Sequence, residues 1–363
     1  MKIVCSQDQL LAKLQIAARG VSQRSTVQIL SGILLNASDE RIELSSTDME
    51  ISLRVPLEAR VEEPGDVVLP GRLLLDIVRA LPAADVTIAQ PGGTGAAQIE
   101  CGPSRYSLNT QNAEDFPQLP VPSGSSFSVD RAAFVDTVSH VGRAASKDES
   151  RPVLTGVLVE LGEGTVTMAA TDSYRLSVKE SALPGATGDV QAIVPARALG
   201  EVVRISTGDS LEVSVQENQV LFGMDGVWLS ARRIDGQFPN YKQLLPQTFE
   251  HEMAISKEEL LDVIRRTSLM AQRNLPVRLS FEEGSLTLAA QTQDVGEARE
   301  SLPVDFHGDR LEIGFNPDFL RDGVESVEGD TVRLKLISSL RPGLLQGEDG
   351  SFWYLIMPIR LPS

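Results

Sequence analysis

Four arginines occupy matched places in the chain. Arg72 and Arg79 lie two and nine residues after Pro70, and Arg197 and Arg204 lie two and nine residues after Pro195. Guanidinium groups suit phosphate contacts, because they stay charged and present a planar fork of donors. A spacing of seven is close to two helical turns, so each pair falls on one stripe of a helix. Leu74, Ile77 and Val78 lie opposite the first stripe, and Leu199, Val202 and Val203 opposite the second. Asp76 and Glu201, four residues after Arg72 and Arg197, also fit ordinary solvated helix pairs. Recurrence at matched positions, in a chain of net charge −17, favours a shared purpose. Lys13, Arg19 and Arg143 are weaker candidates, and Arg24 ends the first helix in SQRST. The third equivalent helix carries Asp318 and Glu325 with only Arg321 nearby, so a smaller contribution is expected there.

Nothing comparable supports catalysis. His140, His251 and His307 stand in three contexts, and none has a metal-ligand partner at i+3 or i+4. No G-x-x-x-x-G-K-[ST] loop is present, so ATP hydrolysis is not expected. Gly92-Gly93-Thr94-Gly95 reads as a hairpin turn rather than a phosphate cradle. Asp48 and Asp172 follow Thr47 and Thr171 and read as turn or ladder residues rather than paired catalytic carboxylates. No metal and no cofactor are expected.

The elements that must position the arginines repeat. Strand-like KIVC (2–5), SFSV (126–129) and EMAI (252–255) each precede a helix-capping residue: Ser6, Asp130 and Ser256. Gln9 and Glu259 complete a capping-box pattern in the first and third. LSSTDMEISLRV (44–55) matches MAATDSYRLSVK (168–179), and LAAQTQDVGEARE (288–300) is a weaker third version. A strand and second helix follow in VVLPGRLLLDIVRAL, AIVPARALGEVVRI and IGFNPDFLRDGVESV, then an alternating strand. Phe116-Pro117 and Phe238-Pro239 close two of the units. The expected architecture is α+β. It consists of three tandem copies of a two-helix domain with its helices on one face of an antiparallel sheet, over residues 1–120, 126–246 and 252–363.

Bulk properties narrow the setting. The chain of 363 residues has room for two or three cores. No apolar run reaches the ~18 residues that span a membrane, and MKIVCSQDQ shows no signal peptide. Cys5 and Cys101 read as buried thiols of a reducing compartment, so the cytoplasm is expected. An acidic protein can hold nucleic acid only where its cations are gathered, because screening cuts charges off beyond about 10 Å.

The whole chain resembles the bacterial replicative sliding clamps, the β subunits of DNA polymerase III. The resemblance rests on STDMEISL, AATDSYRL, DGQFPNYKQLLP and the C-terminal MPIRL. It implies a DNA-clamp fold closed head to tail with a second copy into a ring around duplex DNA. DNA would be held without sequence preference, with Arg24, Arg72, Arg79, Arg197 and Arg204 toward the hole. DNA polymerase subunits, the clamp-loader complex and other clamp-binding-motif proteins are the implied partners.

Matched residue by residue, their peptide groove would involve Leu154, Thr171, Ser173, Tyr174, Arg175 and Leu176, then Pro239, Leu244, Leu340 and Pro342. Met357, Pro358, Ile359 and Arg360 would close it. Gln243 stands where some relatives carry Arg, and the chain runs on through Pro362 and Ser363. The joint between copies would set Arg105, Tyr106 and Leu108 against Leu269, Asp294, Glu297 and Glu300, with Arg72 available to joint or hole. The competing readings are a triplicated interaction scaffold that does not encircle DNA, and a carboxylate hydrolase.

Overall fold

The computed structural model describes residues 1–363 except 23–25, 39–40, 93–94, 124–125, 188–189, 247, 272–274, 294 and 362–363. Arg24 and Asp294 therefore lie outside the described residues, as does the Pro362-Ser363 extension.

The first copy runs β1 (Lys2–Ser6), α1 (Gln7–Ala17), β2 (Gly32–Ala37), β3 (Ile42–Thr47), β4 (Ile51–Leu57), β5 (Arg60–Glu63), β6 (Gly65–Pro70), α2 (Gly71–Ala80), β7 (Asp85–Ala89), β8 (Ala96–Cys101) and β9 (Ser104–Asn109). The second holds β10 (Ser126–Asp130), α3 (Arg131–Val141), α4 (Pro152–Thr155), β11 (Gly156–Gly162), β12 (Thr165–Thr171), β13 (Arg175–Ala182), β14 (Val190–Pro195), α5 (Ala196–Ile205), β15 (Ser210–Val215), β16 (Gln219–Met224) and β17 (Val227–Arg232). The third holds β18 (His251–Ser256), α6 (Lys257–Ser268), β19 (Val277–Glu282), β20 (Ser285–Thr292), β21 (Gly296–Pro303), β22 (Leu311–Phe315), α7 (Pro317–Ser326), β23 (Thr331–Leu336), β24 (Gly343–Gln346) and β25 (Phe352–Ile356).

Local chemistry explains where the helices start. The Ser6 and Ser256 hydroxyls accept the N–H groups of Gln9 and Glu259, each at 3.4 Å, and Asn316 accepts those of Asp318 and Phe319. Each helix then buries one stripe: Leu10, Leu14 and Ala17 in α1, Phe134, Val138 and Val141 in α3, Leu260 and Ile264 in α6. Strand β4 alternates buried and half-buried residues along its length, as a strand lying over a core should.

Two compact units contain the described chain: residues 1–131 with 201–233, and residues 132–200 with 234–363. The first unit has a five-stranded sheet, β5-β1-β7-β8-β9, and an eight-stranded sheet, β10-β15-β16-β17-β4-β3-β2-β6. The second has an eight-stranded sheet, β14-β11-β12-β13-β25-β24-β23-β18, and a four-stranded sheet, β21-β20-β19-β22. Each copy thus contributes to two sheets, not to the single sheet the sequence led us to expect. Period-two alternation marks a strand's faces but not the neighbour on its edge, so this pairing was invisible in the sequence.

The long sheets follow one rule. The strand after the Thr-Asp turn of one copy pairs with the last strand of the next. Strand β4 pairs with β17, matching Ile51 with Ala231 and Ser52 with Ser230. In the same way β13 pairs with β25, matching Arg175 with Ile356 and Leu176 with Leu355. Helix α7 can close over β25 because position 323 is glycine. A Cβ there would lie 2.5 Å from the Tyr354 ring, and any side chain would push the helix away. Both cysteines are buried and free, and burial pushes the Cys5 thiol up to about 11. Iodoacetamide should therefore leave the native protein unlabelled at neutral pH and react fully only after denaturation, as a mass measurement would show.

Candidate functional site

The phosphate-type residues stand on the exposed sides of α2 and α5. Arg72, Arg79, Arg197 and Arg204 are all exposed, while Leu74, Ile77, Val78, Leu199 and Val202 are buried beneath them and Val203 is half-buried. Asp76 pairs with Arg79 at 3.1 Å, and Glu201 with Arg204 at 2.6 Å. Arg72 makes no ion pair with a described residue. Asp76 and Arg79 are both exposed, and a pair of that kind contributes about 0–1 kcal/mol, whereas Glu201 is buried and is shared by Arg204 and Arg19. Arg321 on α7 pairs in the same i,i+3 way with Asp318 at 2.9 Å.

Arg19 and Arg143 have other work. Arg19 pairs with Glu201 at 2.9 Å, and Arg143 with Glu325 at 2.5 Å. Each ties the end of a first helix to the second helix of the following copy. Leu269 occupies the corresponding place after α6 and is 81% exposed.

Two turns of the same construction stand beside the two joined strand pairs. The Thr47 hydroxyl accepts the Met49 N–H and donates to the Ile51 carbonyl, while Asp48 accepts the N–H groups of Glu50 and Ile51. Thr171 and Asp172 repeat this with Ser173, Tyr174 and Arg175. Met49 and Ser173 adopt positive φ, 77° and 81°. Non-glycine residues rarely sit there unless surrounding bonds hold them. Asp48 and Asp172 are turn formers: Oδ1 of each accepts backbone N–H groups, and Oδ2 of Asp172 accepts from the Arg175 side chain.

Several of the residues expected at the peptide groove are large, apolar and exposed. Tyr174, Leu244, Leu340 and Met357 are 62%, 52%, 65% and 44% exposed, which is unusual for side chains of this size. Ser173 and Pro239 are exposed, and Leu154, Pro342, Pro358 and Ile359 are half-buried. The Met357 N–H reaches the Tyr174 carbonyl at 2.9 Å, and Ile359 bridges to Gly314 on β22 at 2.8 Å. Residues 357–361 therefore form an extended strip anchored at two points, after the core strand β25 has ended. Leu176, facing Leu355, is 2% exposed and belongs to the core beneath, with Phe238 and Tyr241. Thr171 is likewise buried and Arg360 exposed.

Arg175 stands apart from that surface. Its side chain is 9% exposed and turned inward. The guanidinium donates to Asp172 at 3.0 Å, Asp322 at 2.6 Å, Tyr354 Oη at 3.2 Å and the Arg143 carbonyl at 2.6 Å, and it lies 4.3 Å from the Phe319 ring. Burial opposes its charge, but Tyr354, Asp322 and Asp172 outweigh this and hold the group more firmly protonated than usual. Lys179, 4% exposed, meets Asp136 and Glu328 in the same joint. The ligand atoms of Asp136, His140 and Glu328 lie close enough to hold a cation. The Lys179 ammonium already lies against both carboxylates. The partner of His140 lies at i−4, a direction the i+3 and i+4 criterion did not cover.

Sequence reasoning missed Lys179, Asp322, Phe319 and Tyr354. A signal was present: Arg175 and Lys179 fall on the buried face of β13, where β4 carries Ile51 and Val55, both fully buried.

The remaining predicted residues lie on two strands at sheet edges. Arg105, Tyr106 and Leu108 belong to β9, and Glu297 and Glu300 to β21. Arg105, Tyr106 and Glu297 are exposed and Leu108 is buried. Glu300 takes both guanidinium arms of Arg266, at 2.7–3.0 Å, which draws its carboxyl below the usual range.

Comparison with known proteins agrees along the whole chain. Residues 1–120, 128–240 and 242–360 match the family models of the N-terminal, central and C-terminal domains of the DNA polymerase III beta subunit. The beta sliding clamp of Streptomyces coelicolor is 37% identical over 376 residues, covering 99% of this chain and all of that protein. The structure of the DNA polymerase sliding clamp of Bacillus subtilis superimposes with a TM-score of 0.94 at 28% identity, each chain fully covered. That of the Pseudomonas aeruginosa sliding clamp bound to griselimycin gives 0.91 at 28%, covering 99% of this chain and all of that one. With three tandem α+β domains built in this way, the chain belongs to the DNA polymerase III beta subunit family, the bacterial sliding clamps.

Proposed function

We propose that this chain is a non-catalytic processivity factor of the cytoplasm. Two copies close head to tail around duplex DNA, and the groove beside β13 and β25 tethers DNA polymerase subunits and the clamp loader. One observation carries the assembly: the strand-pairing rule is satisfied twice within the chain and leaves β21 and β9 as the unmatched third pair. Applied once more, it sets β21 of one copy against β9 of the next. Such a heterologous contact repeats until it closes. Leu269 then stands where Arg19 and Arg143 make their ion pairs, so the joint between copies replaces an ion pair with an apolar contact. Among the described residues, no helix is long and apolar enough to cross a membrane.

Sliding follows from the chemistry of the arginines. Phosphate contacts carry no sequence information, and one phosphate substitutes for the next at little cost. Closure of the ring, rather than affinity, retains the DNA, while the acidic remainder of the surface discourages binding from outside. A hydrolase is disfavoured, since Asp48 and Asp172 each give one oxygen to the turn and Asp172 gives the other to Arg175.

Two experiments test separate parts. Arg197→Glu with Arg204→Glu should weaken salt-sensitive association with DNA about tenfold, since each lost phosphate contact lowers the salt slope by about one. Sedimentation should show an unchanged dimer, and unaltered DNA association would remove the stripes from the account. Leu269→Asp should cost about 3 kcal/mol per joint and shift the protein to monomers in analytical ultracentrifugation. A dimer of undiminished affinity would refute the joint.

A further inference from the structure

The frame that forms the apolar groove is built a second time in the first unit, with its chemistry inverted. A cavity of about 370 Å³ lies beside the β4–β17 pairing, between the Thr47–Glu50 turn and the Pro117–Pro120 segment. The two frames superimpose position by position through their hydrogen bonds. The Arg232 N–H reaches the Glu50 carbonyl at 3.0 Å, as the Met357 N–H reaches that of Tyr174 at 2.9 Å. Ser52 faces Ser230 where Leu176 faces Leu355. Four matched positions thus change together: Leu, Leu, Tyr and Met become Ser, Ser, Glu and Arg.

We infer that this first frame is a second peptide-binding groove on each protomer, selective for an extended polar segment with an acidic side chain. Arg232 is exposed and makes no ion pair with a described residue, so it offers a charge-assisted contact to a carboxylate. The floor hydroxyl of Ser52 is linked to Thr47 at 2.8 Å, and Ser230 stands beside it. Both favour hydroxyl or amide side chains over Leu or Phe. Along the wall, Pro117 and Pro120 have no N–H and present carbonyls only, which suits the donors of a peptide backbone. Glu50 lines the same cavity, and its carboxylate disfavours a polyanion such as duplex DNA. The inference rests on the proposed function in one respect, that the matching apolar frame takes peptide.

The seven methionines include one reporter in each groove: Met49, 61% exposed, in the first and Met357 in the second. Methyl NMR of the full-length protein labelled at methionine, assigned with Met49→Leu and Met357→Leu, reads both. Two acetylated hexapeptide amides serve as probes, Gly-Ser-Asp-Ser-Gln-Gly and Gly-Ser-Leu-Ser-Phe-Gly. The acidic peptide should shift the Met49 methyl saturably at millimolar concentration and leave Met357 in place, and the apolar peptide should do the reverse. Arg232→Glu should weaken the Met49 response about tenfold without altering the Met357 response. A Met49 signal that ignores the acidic peptide, or responds equally in Arg232→Glu, overturns the second groove. A Met357 signal that ignores the apolar peptide counts instead against the groove of the proposed function.

Discussion

Replacing Arg175 with Ala should lower the melting temperature of the second unit by about 10 °C, the largest stability loss expected of any single change on this surface. Among the described residues the guanidinium is the one cation paired with Asp172 and Asp322, and it also binds Tyr354 and the Arg143 carbonyl. Removing one partner of a buried ionic cluster leaves the other charges desolvated, at a cost of about 3–5 kcal/mol. For a unit of this size each kcal/mol moves the midpoint by about 2–4 °C. Arg175→Ile supplies the residue that β4 carries at the matching place, yet should still destabilise, because Asp172 and Asp322 remain. Combining it with Asp322→Asn should recover part of the loss, since the two sites are coupled rather than additive. Calorimetry decides: a midpoint within about 2 °C of the parent protein would mean that the cluster does not hold β13 to β25 and α7.

Ending the chain after Ile356 should abolish binding of polymerase-derived peptides while leaving the fold intact. Residues 357–361 lie beyond β25 and touch the rest through the Met357–Tyr174 and Ile359–Gly314 bonds, so little of the core depends on them. The truncation also removes Leu361, whose side chain packs against Gly314. A second variant avoids this: Tyr174→Glu with Met357→Arg converts two exposed positions to the residues of the first groove. Losing two apolar anchors of this kind costs about 2 kcal/mol or more each, hence at least a hundredfold in affinity. Fluorescence anisotropy with a labelled peptide and circular dichroism on the same samples separate lost binding from lost structure. Full affinity in both variants would place the docking site elsewhere.

Much of this was legible in the residues. Helix starts at Ser6 and Ser256, the buried faces of α1, α3 and α6, and the exposure of the four stripe arginines all follow from period and capping. The triplication was legible because matched segments keep their order. Partners across sheet edges were not. Nothing in the letters of LSVK or LSAR says which strand lies alongside, since pairing is decided by long-range register. The same gap misplaced Arg175. Its neighbours Tyr174 and Ser173 are exposed, and only the approach of α7, permitted by Gly323, turns the guanidinium into a buried cluster. Arg19 and Arg143 were read as phosphate candidates for a related reason: each acid partner lies 182 residues away in sequence.

Encirclement is tested most directly by topology. The protein is loaded onto a nicked circular plasmid, separated from free protein by gel filtration, and the plasmid is then cut once with a restriction enzyme. A ring held by closure should co-elute with the circle and be lost within minutes of cutting, with little dependence on plasmid sequence. Equal retention on circle and cut DNA would mean that contact rather than enclosure holds the duplex, and the proposed ring would be wrong.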